Sequence, residues 1–312
     1  MTDPALEVDA LTKFYGNYKA VSGISFTVPR GAVVGLLGAN GAGKTTTIQM
    51  LLGITEVTSG GIRYFGQDFR KHRQECLSRI NFTSAYNSLQ GKITVRENLL
   101  SFALLYSVRN PKRKIAELME FLEIDSLSDQ IFWSLSAGQR TRVSLAKALL
   151  NDPELILMDE PTASLDPDIR DKTLSLVENL RANRELSILF TSHNMEEVTR
   201  ICDEVIFLDQ GRIVLHDSPK NLTLGLHATQ LAITFSGSEA ALIAHLRELG
   251  TEFTMEAGSR VAIATDGPQI PALLAGVANL SGIQVMDVDI RKPTLEGVFL
   301  SLARRSDGLV QN

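Results

Sequence analysis

Apolar and polar residues alternate over positions 6–14 and again over 23–28, ahead of Pro29-Arg30-Gly31, which is the two-residue period of half-exposed strands closed by a turn. Together they predict an antiparallel β lobe at the N-terminus. Residues 32–37 are apolar without alternation, as a central parallel strand buried on both faces should be, and 155–158 and 187–190 also read as buried strands. Helical spacing follows the first of these runs directly, at 45–52, and fills the interval between the other two, at 168–180. Strands joined through helices in this way predict right-handed crossovers in a mostly parallel sheet. Helical patterns over about 94–107 and 112–124, separated by Asn110-Pro111, form a helical insert at about residues 86–145. Positions 205–208 and 212–215 flank Asp209-Gln210-Gly211 as a closing hairpin.

The composition shifts at Asp217-Ser218-Pro219, which divides the chain into residues 1–220 and 221–312. In the second part, alternation at 230–235, helical spacing at 239–249, two short strands around Ala257-Gly258-Ser259, a helix at 270–280 and alternation at 283–290 give the order β-α-β-β-α-β. That is the ferredoxin-like plan, followed by one more helix at about 294–304. The predicted fold class is therefore α/β, with a small α+β unit behind it.

A chain of 312 residues, 44% of them hydrophobic, can bury one large core and one small one. The net charge of −5 argues against binding nucleic acid through general electrostatics. Cys76 and Cys202 stand far apart and outside any metal-ligand spacing, which points to two reduced thiols in a cytosolic protein. No apolar run approaches the roughly 18 residues that a membrane span needs, and Met1-Thr2-Asp3-Pro4 does not open a secretory leader. Any membrane role is expected to come through a partner chain.

Two segments carry chemistry. Gly38-Ala39-Asn40-Gly41-Ala42-Gly43-Lys44-Thr45 lies between the first buried strand and its helix, the context of a phosphate-binding loop. Glycines let backbone N–H groups wrap a phosphate, and the helix start, with Thr46 in its first turn, adds the positive end of its dipole. Lys44 can reach the β- and γ-phosphates, and Thr45 offers a hydroxyl to Mg²⁺. The second segment is Asp159-Glu160-Pro161 at the end of a buried strand. Side chains alternate across a strand, so the two acids take different parts. Asp159 is suited to Mg²⁺, whereas Glu160, held extended by the following proline, is placed to polarise an attacking water.

Between the two segments lies Leu135-Ser136-Ala137-Gly138-Gln139 at the start of a strong helical pattern. Loop, LSAGQ and strand-plus-DEP in this order resemble the nucleotide-binding subunit of an ABC transporter, over about the first 220 residues. The family usually has LSGGQ, so Ala137 departs by one methyl. The resemblance implies that Ser136, Gly138 and Gln139 face the γ-phosphate of an ATP held by a second protomer. It implies that Tyr15 stacks on adenine, although a core or turn aromatic reads equally well there. It further implies that Ser164-Leu165-Asp166 crosses the dimer interface and that His193 is the switch histidine at the γ-phosphate. The glutamine the family carries after the strand entering the helical insert is replaced by Ala85, with Asn87 or Gln90 as substitutes if the loop is rearranged. The implied protein is a cytoplasmic ATPase, a homodimer or a heterodimer with a related subunit, peripheral on a membrane-embedded permease. Lys292-Pro293-Thr294-Leu295-Glu296-Gly297-Val298-Phe299-Leu300 resembles the extension of exporter-type subunits. The competing readings are a soluble ABC-type ATPase and a regulator of low turnover, the latter drawing on Ala85.

Overall fold

The computed structural model describes residues 3–84, 89–163, 165–184, 186–224, 229–265, 267–291 and 295–297. The chain divides into two compact units, Met1–Pro219 and Lys220–Asn312.

The first unit opens with β1 (Leu6–Tyr15) and β2 (Tyr18–Val28), followed by β3 (Val33–Gly38) and α1 (Lys44–Leu51). Next come β4 (Ser59–Tyr64), β5 (Gln67–Asp68), α2 (Arg73–Ser78) and β6 (Ile80–Ser84). The helical insert contributes α3 (Val95–Leu105), α4 (Pro111–Phe121) and α5 (Ala137–Ala148). The chain then returns to the sheet through β7 (Leu155–Asp159), α6 (Pro167–Arg184), β8 (Ser187–Thr191) and α7 (Met195–Ile201). It closes with β9 (Glu204–Asp209) and β10 (Arg212–Asp217); α8 (Pro219–Leu224) starts at this unit's last residue and belongs to the second unit.

Two sheets result. The order β2-β1-β4-β5 is antiparallel throughout, and the order β10-β9-β3-β8-β7-β6 is parallel except for the β10 edge. β3 stands in the middle of the parallel sheet, which explains why residues 33–37 are fully buried and show no alternation. One apolar core joins both sheets and α1 through Leu6, Val34, Leu36, Ile48, Leu51 and Leu157 among others. Within it the fully buried Tyr64 donates its hydroxyl to the Leu51 carbonyl at 2.8 Å, satisfying one of the open acceptors at the end of α1.

In the second unit β11 (Thr229–Gly237), α9 (Glu239–Glu248), β12 (Phe253–Glu256), β13 (Arg260–Thr265), α10 (Ile270–Ala278) and β14 (Ile283–Arg291) follow the expected order. The sheet order β12-β13-β11-β14, every neighbour antiparallel, is the split β-α-β arrangement. Leu231, Ile233, Val261 and Ile263 of the sheet bury their side chains with Leu242, Leu246, Leu273 and Val277 of the two helices. Of the helix expected over 294–304, only 295–297 fall within the described residues. Among the described residues no helix is long and apolar enough to cross a membrane.

Candidate functional site

β3 delivers the chain at its C-terminal end into the glycine-rich loop, and the local backbone explains the glycines. Gly38 has φ +150°, and a Cβ there would lie 2.3 Å from the Leu208 carbonyl oxygen; Gly43 has φ +106°, and its Cβ would lie 2.7 Å from the Ala20 carbonyl oxygen. Gly43 then caps α1 without any side-chain hydrogen bond, and the first turn holds no acidic residue. The opening N–H groups of the helix are thus left for an external acceptor. Lys44 Nζ donates to the Gly38 and Ala39 carbonyls at 2.6 and 3.2 Å, folded over its own loop. Burial pushes the Lys44 pKa down, and the nearby Glu160 and Asp159 carboxylates oppose that shift.

β7 brings the acids to the same place. Asp159 lies between Ser84 of β6 and Thr191 of β8 in register, and its Oδ1 accepts the buried Thr191 hydroxyl at 2.6 Å. Glu160 is not extended, as its place before Pro161 predicts, but has φ +49°. Its N–H donates to the Thr191 carbonyl and hydroxyl at 3.1 and 3.0 Å, and its own carbonyl accepts the Ala163 N–H at 3.1 Å, closing a turn. Those bonds override the local preference. A non-glycine residue in this region costs about 1–3 kcal/mol and persists only where the surroundings determine it. The turn carries Glu160 Oε2 to within 2.6 Å of His193 Nδ1. At that distance the two side chains share a hydrogen bond.

A single cavity of about 600 Å³ at the C-terminal ends of the strands gathers Tyr15, Asn40, Gly41, Gly43, Lys44, Thr45 and Thr46 with Asp159 and Glu160. Ligands of open α/β sheets bind at that end. A larger depression of about 1050 Å³ at the opposite ends of the strands, lined by Arg30, Glu154, Arg181 and Ser187, contains none of the predicted site residues. The cavity also holds Tyr18 and Ser84, which sequence reasoning missed. Tyr18 begins β2 five residues earlier than the alternation suggests, beside Tyr15, which is exposed and stands under Lys13 Nζ at 5.0 Å. Ala42 is buried behind the loop.

Ser136, Gly138, Gln139 and Asp166 do not line this cavity. Ser136 caps α5 in a reciprocal box, accepting the Gln139 N–H at 3.3 Å while Gln139 Oε1 accepts the Ser136 N–H at 2.9 Å. Ser136 itself is exposed, whereas Gly138 is buried, and a Cβ there would meet Ile169 Cγ2 at 2.4 Å. Asp166 is exposed before α6 and accepts the Arg170 N–H at 2.9 Å. Ser164, Ala85 and Asn87 lie outside the described residues. Gln90 is anchored by its backbone, exchanging hydrogen bonds of 2.9 Å with the buried Asn98 side chain.

Comparison with known proteins agrees with this geometry. The family profile described as "ABC transporter" matches residues 21–163. The chain is 35% identical over 307 residues to the Nod factor export ATP-binding protein I of Rhizobium sp. (strain N33), covering 98% of this chain and 99% of that protein. It is 31% identical over 309 residues to the linearmycin resistance ATP-binding protein LnrL of Bacillus subtilis (strain 168), covering 96% and 99%. Among solved structures, cbiO1 from Clostridium perfringens, part of the ABC transporter complex cbiONQ, superposes with a TM-score of 0.66 at 27% identity, over 72% of this chain and 92% of that one. A helix start prepared for phosphate, two acids across one cavity from it, and relatives that match nearly end to end lead to one conclusion: the chain belongs to the ABC transporter family, among its ATP-binding, ATP-hydrolysing subunits of exporter type.

Proposed function

We propose that this ATPase works as a dimer bound to a separately encoded membrane permease on its cytoplasmic face, and that ATP hydrolysis in a site shared between protomers drives export. The observation that carries this reading is the division of the expected residues. Phosphate loop, Asp159 and Glu160 share one cavity, while Ser136 stands exposed at another helix start outside it, as half of a composite site should. The export direction draws on the relatives named for Nod factor export and linearmycin resistance.

Within the site, the loop N–H groups and Lys44 bind the phosphates, Tyr15 stacks on adenine, and Asn40, Gly41 and Thr46 complete the cradle. Thr45 and Asp159 supply the hard oxygen ligands that suit Mg²⁺, whose chemistry is to neutralise charge on the phosphates. Glu160 orients and deprotonates the attacking water. His193, held through Nδ1, presents Nε2 to the γ-phosphate. The exposed start of α5 with Ser136, Gly138 and Gln139, together with Asp166, faces the partner's nucleotide. The helical insert exposes the apolar side chains of Leu104, Leu105, Ile131 and Trp133, which we assign to contact with the permease.

Mixing two inactive subunits tests this. Ser136→Arg spoils one half of each site and Lys44→Ala the other, so a heterodimer of the two retains one intact composite site and recovers hydrolysis. Demonstrable heterodimers with no recovered activity would contradict the shared site.

A further inference from the structure

We infer that Glu197, a residue without a place in the nucleotide cavity, is a positioning residue that clamps the loop bearing Glu160, including its turn at Leu165 and Asp166, to the loop bearing His193; this rests on the roles given above to Glu160 and His193.

The Glu197 side chain is only 3% exposed, in the first turn of α7. A carboxylate so deeply buried must be matched by donors. Its Oε2 accepts two hydroxyls, Thr162 Oγ1 and Ser192 Oγ, each at 2.7 Å. Its Oε1 forms an ion pair with Arg170 Nε at 3.2 Å. Thr162 lies two residues after Glu160, and Ser192 immediately precedes His193. Arg170 in turn donates from Nη2 to the Leu165 carbonyl at 3.3 Å and from its backbone N–H to the Asp166 carbonyl at 2.9 Å. One carboxylate therefore ties two loops together: the β7–α6 loop, held at Thr162 and through Arg170 at Leu165, and the β8–α7 loop, held at Ser192.

The tie has consequences for chemistry. Glu160 occupies a left-handed backbone conformation that its own sequence does not favour, held on one side by Thr191. Thr162 and Glu197 hold the other side. The Ser192 bond fixes the residue next to His193, so the 2.6 Å contact between Glu160 and His193 depends on a common anchor beneath both. Among the described residues, neither the phosphate loop nor Lys44 bonds to this anchor. Loosening the anchor misplaces the groups that serve the water and leaves phosphate binding intact, and a displacement of about 1 Å in such groups costs up to about a hundredfold in rate.

The test measures kcat per folded molecule and ATP affinity for the full-length Glu197→Ala and Glu197→Gln variants, each in the wild-type and Glu160→Gln backgrounds. Glu197→Ala should lower kcat by about tenfold or more while the ATP Kd stays within about threefold. Glu197→Gln, which keeps an acceptor for the hydroxyls but meets Arg170 with an amide, should recover part of the rate. In the Glu160→Gln background the alanine change should subtract little more, because residues acting through one group are not additive. Thr162→Val and Ser192→Ala each remove one donor and should give smaller selective losses in kcat, which keeps the test open if Glu197→Ala does not fold. Affinity falling in step with kcat, an unchanged kcat, or full additivity overturns the inference. If Glu160→Gln alone retains the wild-type rate, the role of Glu160 is wrong, while a selective kcat loss in Glu197→Ala still supports the anchor beneath His193.

Discussion

Replacing Gly43 by alanine in the phosphate loop should damage the site before any nucleotide is present. Gly43 has φ +106°, and its added Cβ would sit 2.7 Å from the Ala20 carbonyl oxygen and 3.5 Å from Gly211 Cα. The 2.7 Å neighbour is backbone and cannot swing away, whereas Val21 Cγ2 at 3.4 Å and Gly211 Cα stand at ordinary contact distance. A left-handed conformation costs an L-residue about 1–2 kcal/mol. Overpacking against atoms that cannot yield adds about 1–3 kcal/mol. Gly43→Ala should therefore destabilise the nucleotide-free protein by about 2–5 kcal/mol or displace the start of α1 to avoid that strain. Gly41 provides the control, since it has φ +83° but nothing within 4 Å of its added Cβ. Gly41→Ala should cost only the backbone component, about 1–2 kcal/mol. Urea unfolding of both variants without nucleotide, monitored at the first unit, measures the difference. Titration with ATP should then show Gly43→Ala weakened by at least about tenfold, equivalent to 1.4 kcal/mol. Equal stabilities for the two variants, with the start of α1 unmoved, would refute the claim that the loop is preset against β2.

The buried Lys147 gives a prediction in pH. Its Nζ donates to Asn81 Oδ1 and to the Phe82 carbonyl, each at 3.1 Å, and burial pushes its pKa down to about 8. The unfolded chain keeps this proton up to the ordinary lysine pKa, so stability rises with pH above about 8 and the penalty is fully present below it. Wild type should gain about 1 kcal/mol relative to Lys147→Met between about pH 7.5 and 9; an unchanged difference in unfolding free energy across that range would exclude a displaced lysine pKa. Gly138→Ala should place its methyl against Ile169, which its Cβ meets at 2.4 Å, and destabilise the protein by about 1–3 kcal/mol. Gly138→Ala should cost less in an Ile169→Ala background than in the wild type, and an equal cost in both would show that the clash is not the cause.

The parts of this protein that were legible from sequence are those where local pattern and tertiary demand agree. Unbroken apolar runs announced β3, β7 and β8 because strands covered on both faces have no polar side to alternate with. The phosphate loop was legible because its glycines answer to close backbone approaches, at Leu208 and Ala20, that no other residue permits. What escaped depends on contacts between distant residues. Glu160 looked extended because the proline beside it was visible and the Thr191 bonds, 31 residues away, were not. Glu197 reads as one more acid at a helix start, and only the fold brings Thr162, Ser192 and Arg170 onto it. The polar run Thr191-Ser192-His193-Asn194 closing an apolar strand was the available signal, since buried strand ends seldom keep polar residues without partners. Tyr18 was missed because the alternation that marks the strand was read only from Gly23, although β2 already begins at Tyr18.

The central claim, that this cavity hydrolyses ATP through Glu160, is tested most directly by measuring ATP affinity and turnover in Glu160→Gln. Removal of a general base lowers rate by about 10²–10⁴-fold. Affinity should stay within about threefold of wild type, because phosphate binding rests on the loop and Lys44, and the protein should accumulate with ATP bound. Hydrolysis at the wild-type rate would contradict the account.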